Sequence, residues 1–362
     1  MRTWLVSWLA AWGLATSGIY GQTLKPEGEA TNAERTKWKL SHRLQGGWEY
    51  DSNIFESSSR RAASGSARFL LNTRGERRST GWQAQYHYSA ALQAYSGYRN
   101  ENKLSHEASG ALGARLQPWL HLAAQANGTL KFYLENAADY GATSGNTTAS
   151  FFLPARFVAE VSGETGQLDY VATDLYDFTF NGVEMALRRP LSLSGAIAFS
   201  LNRRMLRHER QRLSDDDKLG LVIGPAKQRD ALTTVRVAMT YGRKVVAQLA
   251  VEAQRNRSNS FGYDFNRLRV SGLLGFRPAA GWMLRAAALA QKKRYRDDLS
   301  RLNLRDLDTE REQSNFFVVD LSRDLSAEIS AVARAAFYDN ESTVPGVFYH
   351  KTIFFTGMEI RL

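Results

Sequence analysis

The last fifteen residues constrain the fold more tightly than any other stretch of this chain. From Phe348 to Leu362, the side chains of Phe348, His350, Thr352, Phe354, Thr356, Met358, Ile360 and Leu362 share one face of an extended strand, and Tyr349, Lys351, Gly357, Glu359 and Arg361 share the other. Strand side chains alternate with a period of two, so this ribbon must meet an apolar neighbour and water at once. A strand of a membrane barrel does so, with lipid on one face and a polar lumen on the other. The expected fold is all-β, a closed antiparallel transmembrane β-barrel of the Gram-negative outer membrane.

The same alternation recurs upstream. Runs that carry it lie near 38–50, 65–75, 81–94, 103–116, 119–134, 149–161, 167–175 and 177–188. Others follow near 192–203, 230–241, 244–256, 265–277, 281–294, 313–322, 326–338 and 347–362. They make about sixteen strands, or fourteen if 149–161 and 167–175 form an excursion outside the barrel. Asn181-Gly182 breaks the pattern between Phe178 and Phe180 on one side and Val183, Met185 and Leu187 on the other, which predicts a bulge.

Connections alternate in length. Turn-rich short ones lie at Arg74–Gly81, Gln117–Pro118, Ser162–Gly166, Arg189–Pro190, Gly242–Arg243, Arg277–Gly281 and Ser322–Leu325. Long polar ones lie at Ser52–Ser64, Glu135–Thr148, Arg204–Arg229, Arg255–Asp264, Arg296–Glu312 and Asp339–Gly346. Short turns belong to the periplasmic side of such barrels and long loops to the outside. Aromatic residues fit two interfacial girdles. Trp38, Trp82, Trp119, Tyr241 and Trp282 mark the periplasmic one, and Tyr50, Tyr95, Tyr133, Tyr295 and Tyr338 the outer one.

The N-terminus reads as an export signal. Arg2 precedes an apolar run from Trp4 to Ala15, with cleavage expected after Ser17 or Gly21. This gives a signal peptide over 1–21, a periplasmic linker over 22–37 and the barrel over 38–362. The chain has no cysteine, so disulfides and a lipid-modified cysteine are excluded. A net charge of +11 would fit nucleic acid, but an exported barrel meets membrane lipid, lipopolysaccharide and small solutes instead. No nucleic-acid partner is expected.

Catalytic chemistry has little to stand on. The six histidines are dispersed, and His42, His106 and His350 are expected to face lipid or the interface. His87 and His121 are expected in the lumen as hydrogen-bonding groups. Ser214-Asp215-Asp216-Asp217 reads as a solvated loop rather than a metal site, and Leu299–Leu307 as a short loop element over the barrel mouth. Neither a catalytic, a cofactor nor a metal site is expected, and an enzyme is the least favoured class. Two basic groups carry more meaning. Arg203, Arg204 and Arg207, with Lys292, Lys293 and Arg294, are expected at the outer rim against lipopolysaccharide phosphates. Arg43, Arg115, Lys131, Arg236, Arg267, Arg269, Arg285 and Arg334 are expected to point into the lumen and set its ion preference.

The segment Gly47-Trp48-Glu49-Tyr50-Asp51-Ser52-Asn53-Ile54-Phe55 resembles the opening strand and first loop of a group of Gram-negative outer-membrane β-barrel proteins, porin-like or polysaccharide-export-like. The chain departs from the common barrel ending, since it closes on Leu362 instead of Phe or Trp. The resemblance implies insertion by the outer-membrane barrel assembly machinery. Two classes of function are expected. One is a porin-like channel for small anionic or polar solutes, favoured by small lumenal residues such as Ser105, Ala111, Gly113, Ala123 and Ser271. The other is an export or assembly barrel for a polysaccharide or surface protein, working with periplasmic partners.

Overall fold

The computed structural model describes residues 37–56, 61–135, 139–192, 194–216, 220–297, 315–340 and 349–362. The expected signal peptide, nearly all of the linker, Asp217 and the Leu299–Leu307 segment lie outside these residues. The strands are β1 (Lys39–Asp51), β2 (Ser64–Ser79), β3 (Trp82–Tyr95), β4 (Lys103–Gln117), β5 (Leu120–Tyr133), β6 (Tyr140–Phe152), β7 (Val158–Tyr170) and β8 (Phe178–Pro190). They continue as β9 (Gly195–Asp216), β10 (Gly220–Gly242), β11 (Val245–Ser258), β12 (Phe265–Phe276), β13 (Trp282–Tyr295), β14 (Asn315–Asp324), β15 (Ile329–Asn340) and β16 (Tyr349–Arg361).

Each strand pairs antiparallel with its neighbours in sequence, and β1 pairs with β16 to close a sixteen-stranded barrel. Closure satisfies the backbone. In hydrocarbon an unpaired N–H or C=O has no water to turn to, so a sheet can cross only when it has no free edge. The seam runs from Arg43 opposite Arg361 to Asp51 opposite Ile353, and Leu362 extends it by exchanging backbone bonds of 2.9 and 3.2 Å with His42. A terminal leucine thus sits in the ladder as any residue would.

The outer surface is the apolar one. Phe69, Leu112, Met185, Phe199, Met239, Leu268 and Phe354 are exposed there, and inward neighbours such as Arg68, Glu184, Ala238 and Phe355 are not. An exposed band of this kind around a closed barrel is a lipid-facing surface, and it places the protein in the outer membrane. Trp38, Trp82, Tyr241 and Trp282 stand at the turn side of this band, near the connections at 80–81, 243–244 and 277–281.

Four expectations need correction. The sixth strand begins at Tyr140, nine residues before the expected start, so 140–148 is barrel wall and Ser162–Gly166 lies within β7. Its lipid face there is Gly141, Thr143, Gly145 and Thr147, too weakly apolar for the alternation to register. The Arg204–Arg229 loop is instead a β-hairpin, because β9 and β10 run for 22 and 23 residues. About 9–11 residues cross a membrane, so the rest projects outside, where neither face meets lipid and apolar alternation is lost while pairing persists.

No bulge interrupts β8, whose register with β7 and β9 is continuous. Phe178 and Phe180 point into the barrel, and Val183, Met185 and Leu187 point to lipid. Of the expected outer tyrosine girdle, only Tyr50 faces lipid. Tyr95, Tyr133, Tyr295 and Tyr338 face the lumen, as their parity with inward Gln93, Lys131, Lys293 and Arg334 requires.

Candidate functional site

The register carries all eight expected selectivity residues, Arg43, Arg115, Lys131, Arg236, Arg267, Arg269, Arg285 and Arg334, to the inner wall. Their surroundings differ. Arg334 Nε donates to Asp320, and Arg269 lies 3.6 Å from Glu252. Arg267 is held by the amide oxygens of Gln254 and Gln291, neutral acceptors that orient a guanidinium without cancelling its charge. Arg43 is half-exposed at 4.0 Å from Glu359. Arg115 donates to the carbonyl of Pro118 at 2.9 Å. Among the described residues, Arg115, Arg236 and Arg285 form no ion pair.

Several lumenal groups were missed in sequence because they fall in strands whose start or extent was misplaced. Glu160 and Glu164 on β7 face inward, as do Arg204, His208, Arg210 and Arg212 on β9. Arg204 clasps Glu164 at 2.6 and 3.0 Å, with Asn202 adding a bond of 2.9 Å. Gly182 of β8 leaves room for that carboxylate, which a Cβ there would displace. The Phe180 ring lies 4.4 Å from the Arg204 guanidinium. Sequence neighbours cannot share a face, so the rim set splits as well. Arg203, Arg207, Lys292 and Arg294 point outward, while Arg204 and Lys293 point into the barrel.

At the outer end the seam is filled with polar contacts. Lys351 of β16 reaches Asp51 of β1 at 2.8 Å and Glu56 of the first loop at 3.0 Å. Tyr95 donates to Asp51 at 3.1 Å. Beside them, Glu49 accepts from Arg68 and Gln93, each at 2.6 Å. Glu49 and Asp51 are fully buried, and Ile54 is packed inside. The segment that carried the resemblance therefore folds into the mouth of the barrel instead of lying over it.

Aromatic rings line the same height. Tyr140 and Tyr170 are 5.3 Å apart, Phe265 and Tyr295 6.0 Å, and Phe316 and Tyr338 6.2 Å. Lys131 stands over Tyr133 and Tyr140, and Lys293 over Phe265 and Tyr295, at 4.3 to 5.4 Å. A ring face attracts a cation, so these aromatic rings hold the ammonium groups in the lumen. Outside the membrane, Asp177 is pushed above the ordinary carboxylate range by its partial burial, although it accepts the Tyr170 N–H; Asp169, Asp174 and Glu209 add repulsion.

Five of the six histidines face as expected, and His208 is the exception. His42 and His106 bond outward-facing Thr73 and Tyr88 at 3.1 and 2.8 Å, and His350 lies 2.9 Å from Asp339 at the rim. His87 and His121 face the lumen. No group of three or more potential metal ligands occurs among the described residues.

No protein-family model matches this sequence, and no curated protein matches it either. Among solved structures, a BenF-like porin from Pseudomonas fluorescens shares 7% identity over 89% of this chain and 98% of its own, with a TM-score of 0.45. OccK2 (OpdF) of Pseudomonas aeruginosa shares 10% over 89% and 98%, with a TM-score of 0.45. A bacterial polysaccharide outer membrane secretin shares 8% over 89% and 98%, with a TM-score of 0.44. Likeness at this level says nothing of what passes through this chain.

Proposed function

We propose that this barrel is a porin-like channel for small polar solutes that prefers anions. The carrying observation is the set of inward guanidinium groups without an ion pair among the described residues, Arg115, Arg236 and Arg285, together with amide-held Arg267. Low-dielectric walls focus such a field and raise the local concentration of counter-ions. Acids share this wall, since Asp51, Glu160, Glu164 and Asp230 face inward, as do Arg204, Arg210 and Arg212. Outward Arg203, Arg207, Lys292 and Arg294 fit lipopolysaccharide phosphates at the rim, and the barrel assembly machinery would insert the chain.

An export barrel acting with periplasmic partners is the second reading. It is favoured by an asymmetry: Asp51, Asn53, Tyr140 and Tyr349 are buried at the outer end, whereas Arg43, Arg115 and Arg285 are exposed toward the periplasmic end. Uptake by proteoliposomes separates the two. Of three sugars of one size, an acid, a neutral sugar and an amine, the channel admits the acid fastest and the amine slowest. The reverse order would contradict anion preference, and entry of none would favour the export barrel.

A further inference from the structure

On the hairpin above the membrane, the inner face of β9 presents His208, Arg210 and Arg212 in succession. Across from them, β10 presents Gln228 and Asp230. Asp230 Oδ2 lies 3.1 Å from His208 Nε2, and both Asp230 oxygens face the Gln228 amide nitrogen, at 3.0 and 3.2 Å. The Gln228 carbonyl accepts Arg210 Nε at 2.8 Å. A neutral amide is thus interposed between this carboxylate and the guanidinium.

The rest of the guanidinium is unmet. Arg210 is 8% exposed, and its two terminal nitrogens are buried with no hydrogen-bond partner among the described residues. The Tyr263 ring lies 4.3 Å from its central carbon. Arg212 Nε is buried too, with no hydrogen-bond partner among the described residues. Arg212 lies close against Gly224, where a Cβ would come within 3.1 Å of Nε, in the irregular register of β10 between Ile223 and Lys227. Tyr263 is held in place by Asn256 Nδ2, which donates to its carbonyl at 2.8 Å, and Phe261 N donates to Leu213 O at 2.9 Å to bind the turn to β9.

A buried charge without a partner is unfavourable. A guanidinium tied at Nε, with both terminal nitrogens unmet, matches the two oxygens of a phosphate or carboxylate. We propose that Arg210 and Arg212, beside Tyr263, bind a small oxyanion borne by a soluble solute at the outer mouth. The inner face of β9 turns the site away from lipopolysaccharide, whose phosphates fit outward Arg203 and Arg207. This site goes beyond conduction through the lumen, and either reading can fail without the other.

Calorimetric titration of the purified barrel with inorganic phosphate, in detergent free of lipopolysaccharide and at constant ionic strength, tests the site. Wild type is expected to saturate, and Arg210→Gln to bind at least about tenfold more weakly. Arg210→Lys guards against misfolding as the explanation, because it keeps a cation at this place but loses the two-nitrogen face, and should bind phosphate more weakly than wild type and more tightly than Arg210→Gln while heat-modifiable mobility is kept. Unsaturable binding by wild type, or unchanged affinity in a folded Arg210→Gln, overturns the site. Binding confined to lipid A in mixed micelles overturns the soluble ligand.

Discussion

Lys351 places an ammonium, 2% exposed, between two carboxylates at the mouth of the barrel, and the pair it makes with Asp51 is closed off from water on both sides. Removing one partner of such a pair leaves a buried charge uncompensated, which costs about 3–5 kcal/mol. Arg43 and Glu359 lie 4.0 Å apart with the arginine half-exposed, and pairs of that kind contribute at most about 1 kcal/mol. Lys351→Met is therefore expected to lower stability several-fold more than Arg43→Gln, as read by urea unfolding from lipid vesicles with tryptophan fluorescence. Equal losses would contradict the buried latch. In sequence Asp51 stood out only through its resemblance-bearing segment, and its cation lies at the opposite end of the chain, a pairing that no spacing reveals.

For single strands, alternation was a reliable guide where one face meets lipid. In β16 every expected orientation holds, and β10 and β11 present Val235, Val237, Met239, Leu249 and Val251 outward as their pattern requires. A guanidinium at the lipid midplane costs about 2–4 kcal/mol. Val237→Arg and Phe354→Arg are thus expected to depress the folded, heat-modifiable fraction in membranes, while Ala238→Arg, facing the lumen, leaves most of it. Equal defects at Val237 and Ala238 would place the register of β10 in error. Phe355 is no neutral control, because its ring is 5% exposed and lies over Gly47 and Gly357. Legibility failed where lipid stops dictating pattern: in the small-residue face of β6 and in the projecting halves of β9 and β10. The extended β9 holds Arg204, His208 and Arg210, and the misplaced start of β6 displaced the reading of β7 with Glu164, so a large part of the candidate sites was hidden with them.

In the whole molecule, closure through β1 and β16 turns sixteen local alternations into one wall with a lipid side and a lumenal side. Sequence foresaw that wall and the inward arginines, since both follow from parity. It did not foresee how many acids share the lumen, because partners such as Arg204 and Glu164 meet across strands distant in sequence. What remains is a lumen in which paired charges at the outer end give way to guanidinium groups of wider surroundings below. Rings of arginine favour anions. Reversal potentials across a planar bilayer in a potassium chloride gradient measure that preference directly. The wild-type barrel is expected to reverse toward the chloride equilibrium potential, and the Arg267→Glu, Arg269→Glu double variant to shift toward that of potassium. A wild type that reverses at the potassium side, or carries no current at any voltage, would contradict the open, anion-preferring channel.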